Sequence, residues 1–386
     1  MKAMRLGQFS DAYPPIMDGV SLTVKNYAHW LNNEKSSSFV VTPNFPGYKD
    51  VDTFPVLRYF SAAIPMREPY RFGIPALDAN IKHNIREESL SLVHAHTPFS
   101  AGQLAMRAAK KRRIPIVATF HSKYRDDFGR VVHNKIILDQ IIKNIVSFYE
   151  SVDEVWIPQR HVVETLREYG FKGKVEVVEN GIDIDTSTDV NTLKIFSRTL
   201  LGIPDERPVF LYVGQLILEK NLKFILESLK HIHNKNFIMF FIGQGYARPV
   251  LEKLVDEYHL SGNVRFIGPI YDREELKRFY ALSDLFLFPS LYDNAPLVVR
   301  EAASMKTPAI LLQGATAAGV IKENFNGFLS GNDPIVFAQC IEKIIADKKI
   351  IQENGENASR TLCRSWQDVV EEVKDRYLGL ILRKLN

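Results

Sequence analysis

Residues 283–303, with the sequence SDLFLFPSLYDNAPLVVREAA, combine a strand pattern, a polar loop and a helix start in immediate succession. The run from Leu285 to Phe288 is short and continuously apolar, which is typical of a parallel strand that is covered on both faces. Pro289 ends this strand, and Pro296 has the fixed φ angle of a first helical residue. The stretch therefore predicts a buried strand whose carboxyl end leads into a helix.

Two carboxylates of this stretch, Asp293 and Glu301, flank the predicted helix start. Backbone N–H groups at a helix N-terminus bind anions such as phosphate, and Glu301 lies about 7 Å beyond Pro296 along the axis at roughly 1.5 Å per residue. Such a site suits a ligand with both phosphate and hydroxyl groups, as in a sugar nucleotide. Taken alone, the stretch favours a plainer alternative, in which Asp293 caps the helix and Glu301 faces water.

The composition indicates a soluble globular protein with two domains. Its 386 residues exceed one ordinary hydrophobic core, and 46% hydrophobic and 24% charged residues are typical of globular chains. The net charge of +4 is too small to indicate nucleic acid, but it is compatible with an anionic ligand or an anionic membrane surface. Cys340 and Cys363 lack metal-type spacing, so we expect neither a zinc site nor a disulfide framework. Without a signal-peptide core or a membrane-spanning apolar run, we expect a cytoplasmic protein.

Short apolar runs alternate with helical stretches along the chain, which predicts parallel sheets with helical crossovers. A polar passage ending at residues 202–208 is the best candidate for a linker. We therefore expect a first domain over residues 1–203, a second over residues 204–365, and one or two closing helices in residues 366–386. The predicted strands are Met4–Phe9, Phe39–Thr42, Val56–Phe60, Leu92–His96, Ile116–Phe120, Glu154–Ile157, Val175–Glu179, Phe210–Gly214, Phe237–Gly243, Val264–Gly268, Leu285–Pro289 and Pro308–Leu312.

Several candidate ligand-binding residues follow predicted strands. Gly19 precedes a helix and would let a ligand approach the backbone, although a plain turn glycine is the commoner role. His121 ends a strand, where it could bond a reacting sugar or cap the next helix. His94 and His96 share one face of a strand, and a structural role is more common for such a pair than metal binding.

The second domain has its own candidates. Lys220 lies shortly after the glycine that ends the strand at Gly214, and it is a flexible point charge suited to a diphosphate or to the surface. The loop that starts at Gly243 also suits phosphate approach, but it is not a P-loop. Asp183 and Asp185 form an Asp-x-Asp whose Asn-Gly context favours a turn over a metal motif.

Two stretches suggest a membrane surface. Residues 58–75 mix Tyr59, Phe60, Met66, Tyr70 and Phe72 with Arg58, Arg67 and Arg71. This composition suits a membrane interface, and the basic cluster Lys110–Arg113 would add attraction to anionic lipid. An ordinary loop and a solvated helix end are the equally good alternatives.

Taken together, the motifs resemble the family-4 retaining glycosyltransferases of the GT-B fold over the whole chain. The resemblance is strongest in His94–Phe99, Thr119–His121, Glu179–Asp183, Gly214–Lys220 and Asp293–Glu301. It implies two Rossmann-like doubly wound domains facing a central cleft, with the donor held mainly by the second and the acceptor by the first. It also implies no obligatory metal and a final helix that returns to the first domain.

The resemblance also implies roles for individual residues. His121 would lie near the transferred sugar, Asp293 would contact sugar hydroxyls, and Lys220 would neutralise the leaving diphosphate; these are the implied catalytic residues. Glu301 would contact the ribose, and the backbone of residues 268–270 would read the base. The implied nucleotide-sugar-binding residues are Gly19, Gly214, Gln215, Gly243, Ile270, Leu297, Val298 and Glu301.

Four positions depart from the family pattern. Gln215 stands where an arginine usually accompanies Lys220, and Asp293 replaces a longer glutamate. Asp18 and Pro296 replace glycines. These departures predict weaker donor binding or an unusual donor.

We expect a retaining hexosyltransferase that uses a nucleotide sugar, a UDP-sugar in the first instance, and acts on a lipid or surface-glycan acceptor. It would work at the inner face of the plasma membrane, without a cofactor, a metal or nucleic acid. Two alternatives remain: a catalytically weak glycosyltransferase-like scaffold subunit, which Gln215 and Pro296 motivate, and a nucleotide-sugar epimerase on the same architecture.

Overall fold

A computed structural model describes residues 3–32, 36–64, 69–184 and 189–385 of the chain. The chain forms two compact units. The first contains the residues up to Gly181 together with those from Ser365 onward, and the second contains Ile182–Arg364. The chain therefore leaves the first unit once and returns to it near its end.

The first unit is built on a parallel sheet of seven strands in the order β3-β2-β1-β6-β7-β8-β9. A separate antiparallel hairpin, β4–β5, follows β3 in the chain. The strands are β1 (Met4–Phe9), β2 (Ser36–Pro43), β3 (Val56–Tyr59), β4 (Ser61–Ala63), β5 (Arg71–Gly73), β6 (Leu92–Ala95), β7 (Ile116–Thr119), β8 (Glu154–Ile157) and β9 (Glu176–Val177). The helices are α1 (Gly19–Trp30), α2 (Ala79–Glu87), α3 (Ser100–Arg112), α4 (Tyr124–Gly129), α5 (Lys135–Glu150) and α6 (Val162–Glu168).

The second unit repeats this construction around a parallel sheet of six strands in the order β12-β11-β10-β13-β14-β15. Its strands are β10 (Val209–Val213), β11 (Ile238–Ile242), β12 (Val264–Gly268), β13 (Leu285–Phe288), β14 (Ala309–Leu312) and β15 (Phe328–Ser330). Its helices are α7 (Val190–Leu200), α8 (Leu222–His231), α9 (Arg248–Glu257), α10 (Arg273–Leu282), α11 (Leu297–Ser304), α12 (Pro334–Ile345) and α13 (Lys348–Leu362). The predicted class, two Rossmann-like α/β domains, is thereby confirmed.

One long helix, α14 (Trp366–Leu385), closes the first unit. Trp366 and Tyr377 are fully buried, and the Tyr377 ring stacks on Trp156 with a centroid distance of 5.4 Å. Large aromatic side chains contribute much of the apolar area that such a contact removes from water. The helix is therefore part of the hydrophobic core of the first unit.

The boundary between the units differs from the predicted residue 203, because the chain enters the second unit at Ile182. Helix α7 is bound there by Asp284, which precedes β13. The Asp284 carboxylate accepts from Lys194 at 2.7 Å and from Arg198 at 2.5 Å, both on α7, and also from the Val209 N–H at 2.8 Å. This ion-pair cluster holds α7 against the sheet of the second unit.

The apolar runs predicted the strands of both main sheets well, except for β15, and they did not predict the two strands of the separate hairpin, β4 and β5. β4, β5 and β15 have only three residues each. Three residues are too few to show an alternating or continuous apolar pattern. They form because another strand supplies backbone hydrogen-bond partners: β4 and β5 pair with each other, and β15 pairs with β14.

We predict that Asp284→Ala destabilises the second unit by about 3 kcal/mol, because it leaves the buried Arg198 guanidinium without its carboxylate. Urea unfolding followed by far-UV circular dichroism measures the loss, and hydrogen exchange should accelerate in peptides of β10 and β13. Glu252→Ala is the matched control, since it breaks the exposed Arg248–Glu252 pair, which we expect to contribute less than about 1 kcal/mol. Equal effects of the two substitutions would contradict the assigned role of Asp284.

Candidate functional site

A short ion pair joins two loops of the second unit. Lys220 ends a 3₁₀ turn after β10, and Asp293 lies in the loop after β13. Strands β10 and β13 are parallel neighbours, so their carboxyl ends lie side by side. Lys220 Nζ is 2.5 Å from Asp293 Oδ1, and the two side chains are only 14% and 17% exposed. The structure thus brings together two residues that the sequence analysis assigned to one site.

The other carboxylate oxygen of Asp293, Oδ2, is buried and has no hydrogen-bond partner within the described ranges. A buried carboxylate oxygen without a partner is costly in a folded protein. The ammonium group of Lys220 also lies 5.3 Å from the centre of the Tyr292 ring. This corner of the second unit therefore has one satisfied and one unsatisfied anionic oxygen.

Helix α11 begins one residue later than predicted. Pro296 has φ −67° and ψ 123°, which is extended backbone, so it is the residue before the helix rather than its first helical residue. Pro296 itself makes no side-chain bond to the first turn of this helix, which starts at Leu297. Asp293 pairs with Lys220, so the plainer alternative of a simple helix cap does not describe it.

Glu301 does not face water, contrary to the plainer alternative, because it is 5% exposed. Its Oε1 accepts from Arg273 at 2.7 Å and its Oε2 accepts from Tyr280 at 2.7 Å. Arg273 also donates to Asp183. Burial alone would lower the pKa of Arg273, but Glu301 and Asp183 raise it above its usual value. Burial, together with the Glu301 charge, raises the pKa of Tyr280.

Arg273 and Tyr280 were missed by sequence reasoning. They lie on α10, and their spacing gives no motif that would single them out. Asp183 accepts a hydrogen bond from Arg273, so it has a structural role besides the predicted turn. Asp185 lies outside the described residues. Among the described residues, no group of three or more His, Cys, Asp or Glu could hold a metal ion.

The loops after β10, β11 and β12 pack backbone against backbone. Gly214 donates to Ile242 O at 3.0 Å, and Gly243 donates to Gly268 O at 2.8 Å. Gly243 has φ +137°, and a Cβ atom there would collide with the Gly214 carbonyl oxygen. Only glycine tolerates both this conformation and this approach. The packing of the loops therefore requires glycine at position 243, whether or not a ligand also contacts it.

The other residues of the second unit that were predicted to bind the nucleotide sugar present mainly backbone groups. Leu297 is 8% exposed, and Ile270 and Val298 pack against the core. The Gln215 carbonyl oxygen accepts from the Tyr212 hydroxyl at 3.1 Å. These residues could contact a ligand through main-chain groups, and Leu297, Ile270 and Val298 would not have to expose their apolar side chains.

Gly19 is the first residue of α1 in the first unit, with open space where a Cβ would lie. Asp18 caps this helix: its Oδ1 accepts from Ser21 N at 2.8 Å and its Oδ2 from the Tyr70 hydroxyl at 2.9 Å. A carboxylate thus lies at a helix start where the resemblance implies a donor phosphate.

Three histidines lie together in the first unit. His96 and His121 are joined by a 3.2 Å contact between Nδ1 and Nε2, and His94 stacks on His96 with a centroid distance of 4.0 Å. Burial lowers the pKa of His94 and His96 far below their usual value and that of His121 to about 3. His121 is not the cap of the next helix, because the cap residue of α4 is Lys123. The rings are therefore neutral near pH 7.

Asp11 is a further buried carboxylate that sequence reasoning missed. It follows β1 and accepts from Ser100, from Thr97 Oγ1 at 2.6 Å and from the Ala101 N–H at 3.1 Å. Burial raises its pKa, although these hydrogen bonds act in the opposite direction. Its position at the carboxyl end of a strand was the signal that could have identified it.

The predicted membrane stretch, residues 58–75, is only partly a surface. Tyr59 is fully buried, and Arg58 is paired with Asp50 at 2.7 Å. Phe60 and Phe72 remain 48% and 60% exposed. Met66 and Arg67 lie outside the described residues. The interpretation as one continuous aromatic and basic membrane face is therefore wrong for Arg58 and Tyr59, because both are used inside the fold.

Two family models match the chain. The description "Glycosyltransferase Family 4" matches residues 17–186, and "Glycosyl transferases group 1" matches residues 194–361. The chain is 27% identical over 355 residues to the alpha-monoglucosyldiacylglycerol synthase of Acholeplasma laidlawii, covering 86% of each chain. It is 23% identical to the enzyme of the same name from Streptococcus pneumoniae, over 95% of this chain and 86% of that one.

The fold is also found among solved structures. The structure of Anabaena HepE in complex with UDP-glucose aligns with a TM-score of 0.79, 16% identity, and coverage of 97% of this chain and 100% of that chain. This likeness confirms the predicted GT-B fold. Within the described ranges, every helix is too short or too polar to span a membrane.

We predict that the first unit loses stability as the pH falls below about 6.5, the usual histidine pKa. The folded state keeps the three buried rings neutral, whereas the unfolded chain takes up a proton at each. Their stabilisation is complete above that pKa and is lost towards the folded pKa, about 3 for His121. The slope is up to about 1.4 kcal/mol per pH unit for each histidine.

Urea unfolding followed by tryptophan fluorescence measures this slope, because Trp30, Trp156 and Trp366 all lie in the first unit. The raised pKa of Asp11 acts in the opposite direction, because the folded chain takes up a proton there at higher pH than the unfolded chain does. His83→Gln, at a side chain that is 71% exposed, should leave the slope unchanged. Stability that does not change between about pH 7 and about pH 5 would contradict the prediction.

Proposed function

The chain belongs to the family-4 glycosyltransferases of group 1 type, and from that premise we propose that it transfers a hexose from a nucleotide sugar to a lipid acceptor with retention of configuration. The carrying observation is the 2.5 Å pair of Lys220 and Asp293. The bond that breaks joins the sugar to the diphosphate, so a cation for the diphosphate and a carboxylate for the sugar must be adjacent. These two side chains meet that requirement in one corner of the second unit.

The proposed reaction breaks the bond from the anomeric carbon to the diphosphate oxygen, and the electron pair leaves with the diphosphate. The acceptor hydroxyl oxygen attacks the same face of the sugar, and its proton passes to the departing phosphate. Lys220 and the backbone N–H groups that start α11 would stabilise the charge that develops on the diphosphate. This proposal requires neither a dedicated base nor a metal.

In this proposal, Asp293 accepts hydrogen bonds from sugar hydroxyls through Oδ2, the oxygen that has no partner among the described residues. Donor binding would also replace part of the Lys220–Asp293 bond by a bond from Lys220 to the diphosphate. Glu301 would accept from the ribose, because each carboxylate oxygen has a second lone pair beyond those used by Arg273 and Tyr280. The ribose carboxylate would thus be held rigidly before the donor arrives.

The proposed lipid acceptor is supported by an open groove of about 240 Å³ in the first unit. Its lining is mostly apolar and includes Arg107 of α3. Lys110 and Lys111 follow Arg107 by one helical turn and share its helix face. The lining residues are Phe72, Gly73, Ile74, Pro75, Ala76, Ser100, Gln103, Leu104 and Arg107.

Two apolar side chains of this segment are exposed: Phe72, which lines the groove, is 60% exposed, and Leu77, next to the lining residue Ala76, is 69% exposed. Arg112 does not belong to the charged surface, because its guanidinium binds the Ile85 and Arg86 carbonyl oxygens. The proposed contact with an anionic bilayer therefore consists of Phe72, Leu77, Arg107, Lys110 and Lys111. A glycerolipid is the acceptor class that the names of the two synthases suggest.

We predict that the native chain releases nucleoside diphosphate from one member of a panel of UDP-, GDP- and ADP-sugars, a UDP-sugar first, in the presence of mixed bacterial-type lipids. Lys220→Ala and Asp293→Asn should each lower kcat/KM by about a hundredfold, because each removes a charge beside the breaking bond. Enzyme-coupled detection of the diphosphate measures the rates.

Lys223→Ala is the matched control, because Lys223 is an exposed lysine on α8 and should leave the rate unchanged. Unchanged turnover in Asp293→Asn would contradict the proposed role of the Asp293 carboxylate in sugar transfer. If the chain binds a nucleotide but consumes no donor sugar in the presence of lipid, the scaffold alternative is favoured. In that alternative, Lys220 stays paired with Asp293 and does not bind a leaving diphosphate.

We also predict that the chain floats with vesicles containing phosphatidylglycerol and not with pure phosphatidylcholine. Phe72→Ser with Leu77→Ser should weaken binding by about tenfold per side chain, and Lys110→Ala with Lys111→Ala by about fivefold per charge. Ile195→Ser with Phe196→Ser is the control, since these residues are 62% and 53% exposed on α7 of the second unit. Equal loss in the control pair would contradict a localised membrane surface.

A further inference from the structure

One arginine of the second unit joins two carboxylates that are far apart in the chain. Arg273 is the first residue of α10, and its Nη2 atom donates to Glu301 Oε1 at 2.7 Å and also to Asp183. An arginine Nη group carries two protons, so these two bonds use both of them. Neither carboxylate engages the protons on Nε and Nη1, and Nε is buried without a partner among the described residues. Arg273 therefore has N–H groups left for a further acceptor.

The open side of the Glu301 carboxylate is the side on which Arg273 lies. The other carboxylate oxygen, Oε2, accepts from the Tyr280 hydroxyl at 2.7 Å, and Tyr280 is fully buried. The side chain of Glu301 is 7% exposed, whereas the side chains of Arg273 and Asp183 are 35% and 34% exposed. A ligand that reaches the Glu301 carboxylate therefore approaches it next to the guanidinium group.

The charges of these side chains determine which chemical group fits beside them. One guanidinium and two carboxylates carry a net negative charge, so a phosphate group is disfavoured there. A hydroxyl group is neutral and can both donate a hydrogen bond and accept one. Of two neighbouring hydroxyls, one can thus donate to Glu301 while the other accepts from Arg273. The ribose of a nucleotide has such a pair of hydroxyls.

We propose that Arg273 is a ribose-binding residue, which donates to one hydroxyl of the nucleotide ribose while Glu301 accepts from the neighbouring hydroxyl. This assignment rests on the proposed function, in which the ribose binds at Glu301. The site recognises both hydroxyls, so a nucleotide that lacks either of them binds more weakly. A residue that only held Glu301 in place would not affect the recognition of one hydroxyl alone.

Arg278 offers a matched control on the same helix. Its side chain is exposed, and its guanidinium carbon lies 5.9 Å from the centre of the Phe196 ring. Arg278→Ala therefore removes one positive charge from α10 without removing a partner of Glu301. A general effect of charge can thus be separated from the loss of a contact with the ribose.

The test is isothermal titration calorimetry of the full chain with nucleoside diphosphates. UDP, GDP and ADP are compared first, and the 2′-deoxy and 3′-deoxy analogues of the tightest ligand follow. The native chain and Arg278→Ala should bind each deoxy analogue at least about tenfold more weakly than the parent nucleotide, because each analogue lacks one hydrogen bond to a charged group. In Arg273→Ala, one deoxy analogue should bind as well as the parent nucleotide, and the other should remain weaker.

If Arg273→Ala keeps both preferences, the ribose contact is overturned. Loss of both preferences together would overturn it as well, because Glu301 itself would then have moved. If Arg273→Ala does not fold, as judged by circular dichroism, Arg273→Gln replaces it. The glutamine amide has two protons, which the two carboxylates can use, and no further N–H for the ribose.

Failure of this assignment and failure of the proposed function give different results. If the nucleotide binds with the expected preferences but no donor sugar is consumed, the proposed transfer fails and the ribose contact stands. If a donor sugar is consumed and Arg273→Ala keeps both preferences, the contact fails and the transfer stands. Absence of nucleotide binding by the native chain would overturn both.

Discussion

Parallel strand pairing determines where the chemistry of this chain can lie. In a parallel sheet every strand presents its carboxyl end at the same edge, so residues that follow neighbouring strands become neighbours. Lys220 and Asp293 are 73 residues apart, yet the pairing of β10 with β13 places them 2.5 Å apart. In the first unit, the order β1-β6-β7 places His96 and His121 in contact in the same way. Both clusters therefore depend on strand order more than on loop conformation.

The second constraint is that buried polar groups need partners. Glu301 has Arg273 and Tyr280, whereas Asp11 has Ser100 and Thr97. A ligand of these groups must extend existing hydrogen bonds or exchange one partner for another. Such an exchange costs little when the new partner has the same charge character, as when a diphosphate replaces a carboxylate on a lysine. The hydrogen bonds that Glu301 and Asp11 already make thus offset part of the cost of burying these carboxylates.

The sequence predicted the strands and the residues at their ends, because a continuous apolar run and the polar residue after it are local signals. It did not predict which groups would pair. Arg273 and Asp183 are 90 residues apart, and their contact depends on how α10 packs on the second sheet. The domain boundary was not predicted for the same reason. Asp284 binds Lys194 and Arg198 of α7, and no local sequence pattern links these charges. Pro296 was placed one residue too far into the helix, since its φ angle suits both positions.

Two departures from the family pattern, Gln215 and Asp293, both affect the charge around Lys220. With Gln215 in place of an arginine, Lys220 is the charged partner that remains from the family pair, and the shorter Asp293 lies against it at 2.5 Å. A cation that bound the diphosphate equally before and after transfer would contribute to affinity without lowering the barrier. Its loss weakens the binding of the donor and of the released nucleoside diphosphate alike. In the proposed reaction, the missing arginine would therefore be lost at the expense of KM, while Lys220, placed beside the breaking bond, would keep the charge that the transition state needs.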